Sequence, residues 1–169
     1  MPLEDTFWDI VERARLSADD PDDVARHTVA LLTTMPAAEV AALRRPLHDL
    51  MASSYRWDLW QAAYLINGGC SDDGFEYFRG WLIAQGRDVY ERAVRDPDSL
   101  SGLPVIREEE DLECEDMCGV VVDAYRELTG STDLPPAEGR YPDLGPGWDF
   151  DDDDEVRRRL PRLAALFLD

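Results

Sequence analysis

Three carboxylates and an arginine crowd one short stretch of the chain: Asp72, Asp73, Glu76 and Arg79, within residues 67–87, NGGCSDDGFEYFRGWLIAQGR. Carboxylates at this spacing are oxygen donors of the kind that hold a divalent cation. Asp72, Asp73 and Glu76 are therefore the candidate metal ligands, and a divalent cation is the one cofactor the sequence suggests. In such a centre Arg79 would stabilise developing negative charge, and His48 would serve as acid or base in the hydrolysis of a phosphoester or nucleotide. The plainer reading is a helix cap with Asp72/Glu76–Arg79 ion pairs, worth about 0.2–0.5 kcal/mol per exposed pair. Acids at helix starts are ordinary, so the plainer reading carries more weight. Phosphate binding by the Gly68-Gly69 turn fails on sign, because two aspartates already occupy the anion-attracting end of the helix.

Acting together would require these side chains to sit on one rigid helix. Asn67, Gly68 and Gly69 tolerate positive φ and suit the end of the apolar segment 57–66. Ser71, Asp72 and Asp73 then supply acceptors for free backbone N–H groups, and Asp73 with Glu76 has the spacing of a capping box. At about 100° per residue, Phe75, Tyr77, Phe78, Trp81 and Leu82 share one broad face, with Asp72, Glu76 and Arg79 on a narrow opposite stripe. The spacing predicts a helix over residues 71–85, packed on most sides, with one polar edge toward solvent or a cleft. Asp72, Asp73, Glu76, Arg79 and Trp81 are the candidate binding residues. Asp72, Glu76, Arg79 and His48 are the candidate catalytic ones, in the roles given above.

The rest of the chain reads as helix. Phe7, Ile10, Val11 and Ala14 have helical spacing within residues 4–17. Asp20 and Pro21 suit a second helix start, followed by Val24, Thr28, Leu31 and Leu32, with His27 beside that stripe. Val40, Leu43, Leu47, Leu50 and Met51 continue the period, and Pro46 inside it should kink or divide the helix. Trp57, Trp60 and Tyr64 mark a fourth helix. Residues 96–100, DPDSL, form a turn. The acidic run 108–116, EEEDLECED, reads as a solvated helix face leading into the stripe Met117, Val121, Ala124, Tyr125 and Leu128. Residues 130–150, rich in Pro and Gly, are expected to be a long ordered loop pinned by Tyr141 and Trp148. The second acidic run, 151–154, fails as a calcium loop: counted from Asp149, the sixth position is Asp154 and the twelfth Leu160, where glycine and glutamate are required. It should instead start a helix whose acids pair with Arg157, Arg158 and Arg159 four residues on. The expected fold is all-α: one helical domain over residues 1–169, a bundle of six or seven helices around the aromatic-rich helix 71–85.

Composition bounds the function. The chain has 169 residues, a formal charge of −20 and seventeen basic residues, all arginine. That charge argues against direct nucleic-acid binding, which depends on basic side chains neutralising phosphates, and against anionic membrane surfaces. It favours a basic protein partner, a cation or solubility alone. No apolar run reaches the length of a membrane span and the N-terminus lacks a signal-peptide pattern, so the expected compartment is the cytoplasm. Cys70, Cys114 and Cys118 are expected to be free thiols; a zinc site recruiting them with His48 lacks any CxxC pair. GxGxxG, P-loop, HExxH and GxSxG motifs are missing.

Phe7-Trp8 with Ile10, Trp57 and Trp60, the block GGCSDDGFEYFRGWLIAQG, Tyr90 and DPDSL together resemble a bacterial family known as domain of unknown function 4240. The central block is the specific part of the likeness. The resemblance implies one domain and draws attention to Asp72, Asp73, Phe75, Phe78, Arg79 and Trp81, but it brings no activity with it. Three functions follow. The first is a non-enzymatic, acidic interaction or regulatory module for a basic protein partner, with mimicry of nucleic acid as a variant. The second is a metal-dependent hydrolase using the Asp72/Asp73/Glu76 cluster. The third is a small-molecule binding domain with the aromatic helix and the 130–150 loop as pocket walls.

Overall fold

Apolar spacing near 3.6 residues becomes helix throughout the computed structural model, which describes all residues Met1–Asp169 and contains no strand. The order is α1 (Leu3–Arg15), α2 (Pro21–Leu32), α3 (Ala37–Ala42), α4 (Arg44–Ser53), α5 (Trp57–Asn67), α6 (Asp72–Ala84) and α7 (Arg87–Arg95). A 3-10 turn, Pro97–Gly102, leads to α8 (Val105–Glu108), α9 (Glu115–Cys118), α10 (Val120–Thr129), α11 (Asp153–Arg159) and α12 (Pro161–Phe167). The helices number twelve rather than six or seven, because breakers cut the expected segments into pieces. The chain divides at Leu43, which leaves Pro46 in the first turn of α4, where its missing N–H has no intrahelical partner to lose. Gly119 separates α9 from α10, and Pro161 opens α12 directly after Leu160.

Nine of the thirteen residues of α6 are buried, and the helix lies against α2, α4, α5, α7 and α9. Its cap is Ser71, whose side chain accepts from the Gly74 N–H at 3.1 Å, so the expected Asp73–Glu76 capping box is not the device used. Gly80 is required by close approach. A Cβ there would fall 2.3 Å from the Cys114 carbonyl oxygen and 2.8 Å from Cys118 Sγ. That contact seats α9 on α6. A hydrophobic cluster of 35 buried residues runs from Phe7 to Leu163 and includes Phe75, Phe78, Trp81 and Leu82.

The acidic run 108–116 is not one helix face. Between α8 and α9 the chain is irregular, with Leu112 and Cys114 buried while Glu113 between them is exposed. Asn67 holds this segment as a peptide group would: the Leu112 N–H donates to Asn67 Oδ1 at 2.9 Å, and Asn67 Nδ2 donates to the Leu112 carbonyl at 3.4 Å. The Cys114 N–H donates to the Tyr77 carbonyl at 2.8 Å. A two-residue burial period and borrowed partners therefore override the helical tendency of the acids.

The loop between α10 and α11 is ordered by its anchors. Trp57 Nε1 donates to the Gly145 carbonyl at 3.1 Å, and Trp148 Nε1 to Gln61 Oε1 at 2.9 Å. The Tyr64 hydroxyl donates to Asp151 at 2.8 Å, and the Arg159 guanidinium lies 3.7 Å over the Trp148 ring. In α11 the acids do pair with the arginines. Glu155 takes Arg158 at i+3 and Arg159 at i+4, so one of the expected four-residue pairs forms. The DPDSL turn reaches further: the Asp98 carboxylate accepts from the N–H groups of Arg162 at 3.0 Å and Leu163 at 2.8 Å, the second and third residues of α12. Asp98 thus serves as the helix cap that Leu160 cannot provide. No helix is long and apolar enough to cross a membrane.

Candidate functional site

Along α4, Arg44, Leu47, His48 and Met51 recur at three- and four-residue spacing and share one face. That face lines a cleft of about 310 Å³, completed by Glu76 of α6, Cys118 of α9, Val121 and Val122 of α10, and Pro136, Ala137 and Tyr141 of the loop. The lining is mostly apolar, with Arg44 and Glu76 as its charged members and His48, Cys118 and Tyr141 as its other titratable ones. The Arg44 guanidinium donates to the Leu134 carbonyl at 3.1 Å, tying the loop to α4 over the cleft. The His48 ring lies 5.5 Å from that of Tyr141, and its buried Nε2 has no hydrogen-bond partner.

Arg79 lies behind Tyr141. Its side chain is buried and pairs with no carboxylate; Nη1 donates to the Met51 carbonyl and Nε to the Phe75 carbonyl at 3.3 Å. Three rings surround the guanidinium, with centroids at 4.7 Å for Phe75, 5.1 Å for Tyr55 and 5.2 Å for Tyr141. Aromatic faces carry negative charge density and stabilise a cation, by about 2 kcal/mol when the pair is desolvated. The rings form a ribbon: Trp57 stacks on Trp60, Trp60 on Phe75, and Tyr55 bridges Phe75 to Tyr141. A charge with no counter-ion is thereby held in place by carbonyls and π faces.

The electrostatics follow from burial. Desolvation pushes the Tyr141 phenol up, with Arg79 opposing and Glu76 reinforcing. It also drives the Cys118 thiol up to about 12, again with Glu76 adding and Arg79 opposing. Cys118 is therefore a protonated wall of the cleft rather than a thiolate nucleophile. Cys70 and Cys114, likewise free, are pushed to about 12 by burial first.

The residues expected to form one site separate into two groups. His48 and Glu76 line the cleft, with Arg79 behind it. Asp72 and Asp73 are exposed at the start of α6 and do not line the cleft. The Asp72/Glu76–Arg79 ion pairs do not form, because Arg79 turns inward beneath the aromatic rings. No group of three or more His, Cys, Asp or Glu side chains, Asp72, Asp73 and Glu76 included, is gathered in a way that could hold a metal ion. Trp81 is a core residue, 1 % exposed and 5.3 Å from Phe78 by ring centroid, rather than a binding surface. Sequence reasoning missed Arg44 and Tyr55, and considered Cys118 only as a free thiol or zinc ligand. The α4 stripe through His48 could have pointed to Arg44; nothing local signals Tyr55.

Fold and cleft together define an all-helical protein with a mostly apolar cleft whose Tyr141 wall is backed by Arg79. The chain belongs to the family described as "Protein of unknown function (DUF4240)", which matches residues 3–127. No curated protein and no solved structure matches the chain. The family match ends inside α10, so the loop that covers the cleft and α12 lie beyond it.

Proposed function

We propose that the protein is a small-molecule binding module and that the cleft between α4, α6 and α10, under the loop at residues 134–141, is its binding site. The observation that carries the reading is the pairing of a mostly apolar cleft of about 310 Å³ with a His48 Nε2 that is buried without a hydrogen-bond partner. Pockets that bind small ligands combine apolar walls with a few fixed polar groups, in volumes of about 300–1,000 Å³. Buried polar atoms without partners are uncommon and call for a reason, and a ligand polar atom would supply one. A thermal-shift and NMR screen against a metabolite library tests the reading. Hits should perturb the Val121 and Val122 methyl signals and vanish in Val122→Phe, which narrows the cleft. Hits that persist in a folded Val122→Phe variant, or a screen without hits, would refute it.

A second reading rests on a separate observation. At a net charge of −20, the acids at residues 108–111 and 149–153 are exposed and make no ion pair with an arginine. A basic protein partner would complement these faces, and its binding would weaken steeply with salt. Capture experiments at low and high ionic strength test this reading, and salt-insensitive binding would count against it.

A further inference from the structure

Acids outnumber bases here by thirty-seven to seventeen, so an arginine that finds no carboxylate is unexpected. Eleven of the seventeen arginines do have a carboxylate oxygen within 4.0 Å. Of the six without one, Arg13, Arg95, Arg107 and Arg140 are exposed to solvent. The other two are Arg44, half-buried in the lining of the cleft, and Arg79, buried behind the Tyr141 ring that forms part of that lining. We infer that the ligand of this cleft is a small monocarboxylate with an apolar body. This inference rests on the cleft being a small-molecule site.

The chemistry selects that class in three ways. A guanidinium offers five N–H donors in a planar fork that matches a carboxylate, and the one hydrogen bond Arg44 makes goes to a neutral carbonyl at 3.1 Å. Arg79 adds positive potential from behind Tyr141, in a region where burial limits screening. Leu47, Met51, Val121 and Val122 supply walls for a hydrocarbon chain or ring. Glu76 sets the upper limit on charge: its carboxylate in the lining repels a phosphate dianion more than a single carboxylate. His48, also in the lining, has an Nε2 without a hydrogen-bond partner and is a further group able to bond a polar atom of the ligand.

The test uses the full chain and five probes of similar bulk: hexanoate, phenylacetate, hexan-1-ol, hexylamine and hexyl phosphate. Titrations are followed by NMR and by melting temperature. The expected result is saturable binding of hexanoate and phenylacetate in the millimolar range or tighter, with the other three weaker by at least about tenfold. Arg44→Gln should weaken the two carboxylates by at least about tenfold and leave hexan-1-ol unchanged. Arg44→Lys keeps the charge, loses the fork and serves if the glutamine variant does not fold; it should also weaken both carboxylates. Equal or tighter binding of hexan-1-ol or hexylamine would overturn the monocarboxylate assignment while leaving the cleft a ligand site. Tighter binding of hexyl phosphate would do the same. Silence from all five overturns the assignment too, and the library screen with Val122→Phe then decides the cleft reading separately.

Discussion

Two charges are buried in this protein, Arg79 at 2 % exposure and Asp98 at 4 %, and they are treated in opposite ways. Asp98 is met by ionic and backbone donors: the Arg162 Nε at 3.0 Å and the N–H groups of Arg162 and Leu163. Every element of that arrangement stabilises the carboxylate and starts α12, so the corner is complete. Arg79 has carbonyl oxygens and the faces of three aromatic rings, with no anion. A buried charge that is fully partnered is part of the scaffold. One held only by dipoles and π faces retains positive potential that it can exert on something else. The difference separates the closing of the C-terminal helix from the backing of the cleft.

The sharpest way to break that comparison is Asp98→Ala. It strands two backbone N–H groups at the start of α12 and removes a charge-assisted contact, so it should lower stability by about 3 kcal/mol. Urea denaturation measures the loss, and hydrogen exchange should show residues 161–167 opening first. A loss below about 1 kcal/mol would mean that α12 does not depend on its remote cap. Arg79→Met should behave differently, since it removes an unpaired charge and keeps a long apolar stem. The expected change in stability is within about 1 kcal/mol in either direction. Stability unaltered but monocarboxylate binding weakened would sharpen the contrast; a collapse like that of Asp98→Ala would erase it.

Arg162→Gln refines the Asp98 corner. The arginine side chain is 58 % exposed, and both backbone donors to Asp98 survive the change, so the loss should be under about 1 kcal/mol. A larger loss would shift the weight of the corner from backbone to guanidinium. The gentlest probe is alkaline pH. Burial raises the three thiols, Cys118 beside Arg79 included, from 9.0 to about 12. The folded state then keeps protons that the unfolded chain releases, so this contribution is fully present below pH 9 and is lost as pH rises toward 12. Urea midpoints measured from pH 8 upward should fall, and thiol reagents should react slowly at pH 8. A flat profile with rapid labelling of Cys118 would place that thiol in water rather than in the wall behind which Arg79 lies.

Much of the fold was legible from local signals. The apolar period of Phe7, Ile10, Val11 and Ala14 gives α1, the Asn67-Gly68-Gly69 turn ends α5, and Pro46 and Pro161 mark where helices start rather than continue. Tyr141 and Trp148 were recognisable as loop anchors because large rings in a Pro/Gly-rich stretch have little else to bury them. The acidic run at 108–116 misled, since charge alone does not report that Leu112 is clamped by Asn67, 45 residues earlier in the chain. At the site, His48 and Glu76 could be singled out as titratable side chains, whereas grouping Asp72, Asp73 and Trp81 with them required an assumption about which way α6 faces. Arg79 defeated that assumption: helical periodicity placed it on the polar stripe, and tertiary packing rolled it beneath Tyr55, Phe75 and Tyr141.

By itself the sequence determined the all-helical class, the negative charge and the aromatic-rich segment that became α6, because each depends on spacing or composition within a few turns of chain. Only the tertiary structure decided that Arg44 and His48 of α4, Glu76 of α6 and Tyr141 of a distant loop enclose one cleft, and that Asp98 caps a helix 64 residues away. The physical reason is range. Helix formation is settled by hydrogen bonds four residues apart, whereas the partner of a buried charge is chosen by whichever element packs against it.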